Sequence, residues 1–404
     1  MKLLNVLRIQ ELNEMIKGYL QSKSTSIEID IKDAKGYILS EDIYAKENTP
    51  QFHRSNVDGY ALYSKDTNSA SESIPSILDL IEGIGIGLEN TVDLKRGQAC
   101  PIATGAMLPI NSDCVVMVEE TEKIDALKQV LVYKSLGVNE NVSVIGSDVK
   151  EDSLLFNKNT YLDERVIGVL ASQGISKVSV YQKLSAIVIS TGNELVEYTQ
   201  DIGAAKVRNS NTLLLKGLLE NNGIEVKETY LIEDDYDLYK QILSYSDVDI
   251  IVTSGGSSQG QEDYTYQLFD EITGNVLCHG LAIKPGKPTI MAIGKKMDGS
   301  QQLYLGMPGN PVSAYLVMLN SFVSARNELY EQKSIQVECI LDMNVASSPG
   351  KDTVILLDVE DNIAKPILYR SANILALAKA NGYLVIDGDK EGINKNEKVK
   401  VVLL

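Results

Sequence analysis

SAIVIS (185–190), TGNEL (191–195), NTLLLKGLLENNG (211–223), IEVKETYLI (224–232), DDYDLYKQILSYS (234–246) and VDIIVTS (248–254) follow one another along the chain. SAIVIS and VDIIVTS are near-continuous apolar runs of strand length, the pattern of a strand covered on both faces. NTLLLKGLLENNG has its apolar residues at helical spacing and is closed by Gly223, a natural helix stop. The alternation continues through the GGSSQG turn (255–260), a helix over EDYTYQLFDEI (262–272), and strand-like LCHGLAIKP (277–285), PTIMAIG (288–294) and LYLGMPGNP (303–311). A helix over PVSAYLVMLNSFVSARNEL (311–329) ends it. Such alternation predicts a three-layer α/β unit with a largely parallel sheet over 182–326. Ligands in these sheets sit at the carboxyl ends of the strands, where TGNEL, GGSSQG and GMPGNP (306–311) all fall.

Outward from this unit the texture changes. Residues 1–48 read as a helix followed by short strands, with DIKDAKGYILSEDIYA (30–45) alternating. Arg8 and Glu11 interrupt the apolar N-terminus, so Leu4, Leu7, Leu12 and Met15 fit an amphipathic helix better than a signal peptide. Residues 49–141 carry Gly, Pro and short β-like runs, CVVMVEE (114–120) and QVLVYKS (129–135), and read as a small inserted β-domain. The helical ERVIGVLASQG (164–174) lies in 142–181, which rejoins 1–48 as one α+β domain. Residues 327–404 return to β-structure through VECILDM, TVILLDVE, YLVIDG and EKVKVVLL, the texture of a small barrel.

With 44% hydrophobic residues the chain has material for several cores, and no apolar run is long enough to span a bilayer. The expected location is the cytoplasm. A net charge of −17 argues against nucleic-acid or anionic-membrane binding. The four cysteines form no CxxC pair and stand in apolar contexts, so buried free thiols are expected, without zinc or disulfides. The two histidines, His53 and His279, lie in no catalytic frame, which argues against most hydrolase and zinc-enzyme chemistry.

The chemistry-bearing residues cluster in the turns. In SGGSSQG, Ser254, Gly255, Gly256 and Ser257 let backbone N–H groups converge on an anion before a helix, although a tight turn without ligand explains the same residues equally well. Glu194 and Asp263, with Asp234, are carboxylates beside that turn. They fit a Mg²⁺ site at a pyrophosphate, and capping of helix N-termini accounts for them slightly better. KPGKP (284–288) aims Lys284 and Lys287 into a small volume, an oxyanion pocket or a pair of solvated lysines. Arg208 in VRNSN is a bidentate donor or a surface residue. Pro308, Gly309 and Pro311 make a rigid turn, and Asp58 in NVDGYAL and Thr104 in TGAMLP are locally ordinary.

Taken in order, SNVDGYAL, ATGAMLP with DCVVMVEE, ISTGNEL, VRNSN, TSGGSSQGQEDYT, KPGKP, GMPGNPVSAY and SANILALAKANG resemble the successive signatures of the MoeA-type molybdopterin molybdenumtransferases, relatives of the gephyrin E domain. The resemblance spans about residues 50 to 382. It implies a central α/β/α domain of molybdopterin-binding type, an N-terminal α+β domain, an inserted β-domain and a C-terminal barrel-like domain. It further implies a homodimer with the cleft between subunits and insertion of molybdate into adenylylated molybdopterin, with Mg²⁺ and release of AMP. A molybdopterin adenylyltransferase is a partner to consider. By motif, Asp58 and Thr104 would face the cleft from the second subunit. Glu194, Asp234 and Asp263 would supply acidic metal and substrate contacts, and Lys284 and Lys287 anion contacts. Pro308 and Pro311 would shape the pocket, and Ser371 would reach in from the C-terminal domain. The chain departs from the pattern at NVSVIGSDVK (141–150), where the usual Arg is missing and Ser147 replaces Glu, and in the glycine loop at Ser257 and Gln259. Adenylyl transfer to molybdopterin and a non-catalytic molybdopterin-binding scaffold are the competing readings.

Overall fold

The computed structural model describes residues 5–83, 85–255 and 264–404. Its central sheet runs, from one edge, Glu225–Ile232, Ser185–Thr191, Ile250–Ser254, Gln301–Met307, Ile290–Lys295 and Val276–His279. The first four strands are parallel; Ile290–Lys295 is antiparallel to both of its neighbours, so the edge strand Val276–His279 points the same way as the first four. Alternate residues of the inner strands enter two separate cores, which is what makes the unit three-layered. Ala186, Val188, Ile250, Val252, Leu303 and Leu305 pack with Leu215, Leu219, Val312 and Leu316 on one face. Ile187, Ile189 and Ile251 pack with Tyr239, Leu243, Leu268 and Phe269 on the other. SAIVIS is apolar throughout because neither face meets water.

The helix Ile9–Lys23 buries Leu12, Ile16, Tyr19 and Leu20 in the first of these cores, so by packing it belongs to the α/β unit. Leu7, grouped by its spacing with the helical residues, lies ahead of the helix and bridges Leu281 instead; Leu4 falls outside the described residues. Glu11 sets this start by accepting from the Arg8 amide at 2.7 Å. Asp249 ties the helix to the sheet, accepting from Ser185 N and Oγ at 3.0 and 2.9 Å and from Lys23 and Lys296 at 3.2 Å.

Strand Ser26–Asp30 pairs antiparallel with Lys177–Tyr181, and Ile43–Tyr44 with Leu154–Phe156, closing a core of Leu39, Leu162, Leu170, Val178 and Val180. The helix Glu164–Ser172 within this part is capped by Asp163 and followed by Gly174 at φ 64°. Between its halves lies a sheet ordered Cys114–Met117, Gly59–Leu62, Gln98–Ile102, Ser76–Leu80, Gln129–Val132 and Thr121–Ile124. At the C-terminus, Gln336–Leu341, Ile363–Pro366, Asp352–Glu360, Gly382–Ile386 and Lys398–Leu403 pair in a ring that returns to its first strand, a closed barrel. The short strand Ile283–Lys284 pairs with Asp352 and Thr353 of the barrel, stitching it to the α/β unit.

Cys100, Cys114, Cys278 and Cys339 are buried and unbridged, and burial pushes the Cys278 thiol up to about 12. Neutral buried thiols are poor nucleophiles and poor metal ligands. Among the described residues no helix is long and apolar enough to cross a membrane.

Candidate functional site

Three adjacent parallel strands end at Thr191, Ser254 and Met307, so their turns meet on one rim of the sheet. The turns approach closely. A Cβ on Gly255, whose φ is +104°, would lie 2.1 Å from the Thr191 carbonyl oxygen, so only glycine fits. Ser254 Oγ donates to the Pro308 carbonyl at 3.4 Å. Asn211, the first residue of the helix Asn211–Asn221, reaches across the rim: its Nδ2 donates to Ser254 Oγ at 2.5 Å and to the Gly309 carbonyl at 2.8 Å. Pro311 opens the next helix, where its lack of an N–H costs nothing. The Ser371 carbonyl accepts from Val312 N at 3.2 Å, which brings the C-terminal region onto that helix's first turn. Ser254, Gly255, Pro308, Gly309, Pro311 and Ser371 are thus gathered in one place. Gly256, Ser257 and Asp263 lie outside the described residues.

Glu194 and Asp234 flank the same rim. Asn193 joins their turns, its Oδ1 accepting from Asp234 N at 3.1 Å and its amide donating to Asp234 Oδ2 at 3.4 Å. Both carboxylates are exposed, and among the described residues neither has an ion pair. Arg208 lies on the short strand that pairs with Leu195–Val196, and its Nε donates to the Gln200 carbonyl at 3.2 Å. Lys206, which the motif reading passed over, donates from Nζ to the Asn193 carbonyl at 2.5 Å.

Lys284 and Lys287 are exposed on a turn whose backbone is pinned: Leu281 N and Thr289 N both donate to the Lys287 carbonyl, at 2.8 and 2.9 Å. The turn lies hard against the Pro311 helix, since a Cβ on Gly286 would meet Val317 Cγ2 at 2.2 Å. The turn that carries the two lysines is therefore packed on the helix whose N-terminus enters the rim, at its Val317 end. No hydrogen bond or ion pair among the described residues joins them to Glu194 or Asp234.

Asp58 and Thr104 meet in the small β-domain. Asp58 Oδ1 accepts from the Thr104 amide at 2.7 Å and its hydroxyl at 3.0 Å, and these bonds hold its carboxyl below the usual carboxylate range. Among the described residues no hydrogen bond or ion pair connects this pair to the rim.

For a divalent cation the donor chemistry is suitable: Glu194 and Asp234 present hard carboxylate oxygens, which Mg²⁺ takes one or two at a time beside phosphate and water. Among the described residues no group of three or more His, Cys, Asp or Glu is assembled to hold a metal by itself. A cavity lined by Lys240, Asp247, Glu271 and Lys296 opens at the opposite, amino end of the strands. Two of its lysines are paired, Lys240 with Glu271 and Lys296 with Asp247, and it lies away from the rim where the strand-end turns meet.

Asn211 is the residue that motif reading missed. In VRNSN it registers only as a helix start, and its partners lie 43 and 98 positions away.

Comparison with known proteins agrees with this architecture. Residues 7–174 match the model of the MoeA N-terminal region (domains I and II), 187–327 that of a probable molybdopterin binding domain, and 340–404 that of the MoeA C-terminal region (domain IV). A molybdopterin biosynthesis protein of Methanocaldococcus jannaschii is 33% identical over 401 residues, covering 97% of this chain and 95% of its own. The molybdopterin molybdenumtransferase of Staphylococcus epidermidis is 29% identical over 98% of this chain and 94% of its own. The crystal structure of the molybdopterin biosynthesis MoeA protein of Pyrococcus horikoshii superposes with a TM-score of 0.77 at 30% identity, covering 98% of this chain and 99% of that one. Matched along nearly its whole length, the chain belongs to the MoeA family.

Proposed function

We propose that the protein is a molybdopterin molybdenumtransferase that takes adenylylated molybdopterin and molybdate and releases AMP. The observation that carries the reading is the convergence of the Thr191, Ser254–Gly255 and Pro308–Gly309 turns, with Ser371 docked beside them. Close glycine approach and a helix N-terminus suit an anionic ligand. Lys284 and Lys287 supply positive charge for molybdate or phosphate in a chain of net charge −17. Arg208 offers a bidentate donor from the strand beside Glu194.

Glu194 and Asp234, with Asp263, would hold Mg²⁺, which supplies charge neutralisation at a pyrophosphate. The protein's own contribution is then orientation: the turns fix the pterin nucleotide while the lysines hold the oxyanion, and fixed donors need not reorganise during reaction. We further propose a homodimer in which Asp58 and Thr104 complete the partner's cleft. Among the described residues neither is hydrogen-bonded to the rim of its own chain, and Thr104 keeps Asp58 ionised; both observations support that reading.

The test is AMP release from adenylylated molybdopterin with molybdate or tungstate as the varied oxyanion. Oxyanion-dependent AMP release is expected. Production of adenylylated molybdopterin from molybdopterin and Mg-ATP, without such release, would overturn the proposal in favour of adenylyl transfer.

A further inference from the structure

We propose that Asn211 is a positioning residue for this reaction, holding the Ser254–Gly255 and Pro308–Gly309 turns in the register that the substrate needs. The inference rests on the molybdenum-transfer reading. The orientation of the amide is determined by its partners. The Gly309 carbonyl only accepts, so the nitrogen must face it, and the same nitrogen reaches Ser254 Oγ. Ser254 Oγ, with its oxygen accepting from Asn211, donates its own O–H to the Pro308 carbonyl. One amide thus fixes two turns through three bonds. Each turn follows a different strand, and Asn211 itself opens a third element, the helix packed on that sheet face.

Asn211 is 8% exposed, and its Oδ1 is buried without a partner among the described residues. Thr191 Oγ1, on the neighbouring strand end, is likewise buried and has no partner among the described residues. Proteins rarely leave such groups unsatisfied, because each forfeits its hydration. Nδ2 must point at the turns, because flipping the amide would set Oδ1 against the Gly309 carbonyl, one acceptor facing another. Capping makes no claim on this side chain: Ser210 holds the N-cap position, Asn211 is the first helical residue, and Asn209 Oδ1 takes the amide of Thr212, at 3.3 Å. The side chain of Asn211 is therefore committed to the rim.

The experiment measures kcat and KM for adenylylated molybdopterin, together with Tm, in the full-length protein. Molybdate-dependent AMP release by wild type comes first; its absence would sink the functional reading itself, a failure distinct from that of the Asn211 assignment. With wild type active, Asn211→Ala should lower kcat/KM by about ten- to hundredfold, the effect of turns misplaced by a fraction of an ångström to an ångström. Ser254→Ala combined with it should lose less than the product of the single losses, because both act through one network. Asn211→Asp keeps the shape and exchanges the donor for a carboxylate. Its activity relative to wild type should be low at neutral pH and rise as pH falls, since the protonated acid donates again to the Gly309 carbonyl. Wild-type kcat/KM in Asn211→Ala would overturn the proposal. So would a deficit in Asn211→Asp that follows the folded fraction and is flat in pH. If Asn211→Ala does not fold, the pH profile of Asn211→Asp decides alone.

Discussion

Gly255→Ala tests most directly whether the rim geometry matters. The methyl group would start 2.1 Å from the Thr191 carbonyl oxygen, whereas real contacts of this kind begin near 3.0 Å, so about 1 Å must be opened. The backbone at φ +104° adds strain of about 1–3 kcal/mol for any L side chain. Two responses compete, spreading of the strands or displacement of the turn. The strands Ser185–Thr191 and Ile250–Ser254 are each hydrogen-bonded on both sides, so the sheet resists and the turn moves. A displacement of that size at a positioning element costs about a hundredfold in rate. About 2 kcal/mol of strain lowers Tm by only about 4–8 °C in a unit of this size. The expected result is therefore a large fall in kcat/KM for AMP release in a protein that remains folded, seen by circular dichroism and steady-state kinetics. The control is Gly217→Ala, in the middle of a helix with nothing within 4 Å of the new methyl. It should leave activity unchanged and add about 0.5–1 kcal/mol of stability. If Gly255→Ala retained kcat/KM within about threefold of wild type, the rim would not be the place where substrate is positioned.

Other predictions address the separate parts of the molecule. Asp249→Ala leaves Lys23, Lys296 and the Ser185 amide without their acceptor and should cost about 3–5 kcal/mol, read as a fall in the urea midpoint. Burial opposes ionisation of Asp249, but the bonds from Ser185, Lys23 and Lys296 more than offset it and hold the carboxyl below its usual range. With its folded pKa depressed, its contribution is present above the unfolded value of about 4 and lost as pH falls through the folded value. Asp249→Asn should therefore flatten the loss of stability in that acid window. Asp58→Asn should abolish AMP release with little change in Tm. Mixing it with Asp234→Asn should restore about a quarter of wild-type activity if random dimers re-form one intact cleft in each mixed pair; no recovery from mixed dimers would refute the shared cleft. Chelation by EDTA should stop AMP release and Mg²⁺ should restore it, whereas unchanged turnover would remove the metal from Glu194 and Asp234.

Local pattern sufficed for much of this protein. SAIVIS and VDIIVTS announce strands buried on both faces, because alternate residues must satisfy two cores at once. The turns after them had to lie on one rim, because parallel strands end on the same side. The order of short motifs carried the family. Contacts between residues far apart in the chain were beyond it. The opening helix is amphipathic, which says that it packs but not on what; tertiary structure placed it on the α/β core, with Leu7 in a bridge ahead of it. Asp58 and Thr104 stand 46 residues apart in unremarkable turns, and only the folded sheet brings the carboxylate onto the Thr104 amide. Asn211 shows the limit most clearly. Its residue type and position were legible as a helix start, while its function depends on a serine 43 residues later and a carbonyl 98 residues later. Periodicity and turn chemistry act over a few residues and leave their mark in sequence; a hydrogen bond across a sheet rim depends on the ends of three strands meeting, which only the assembled core decides.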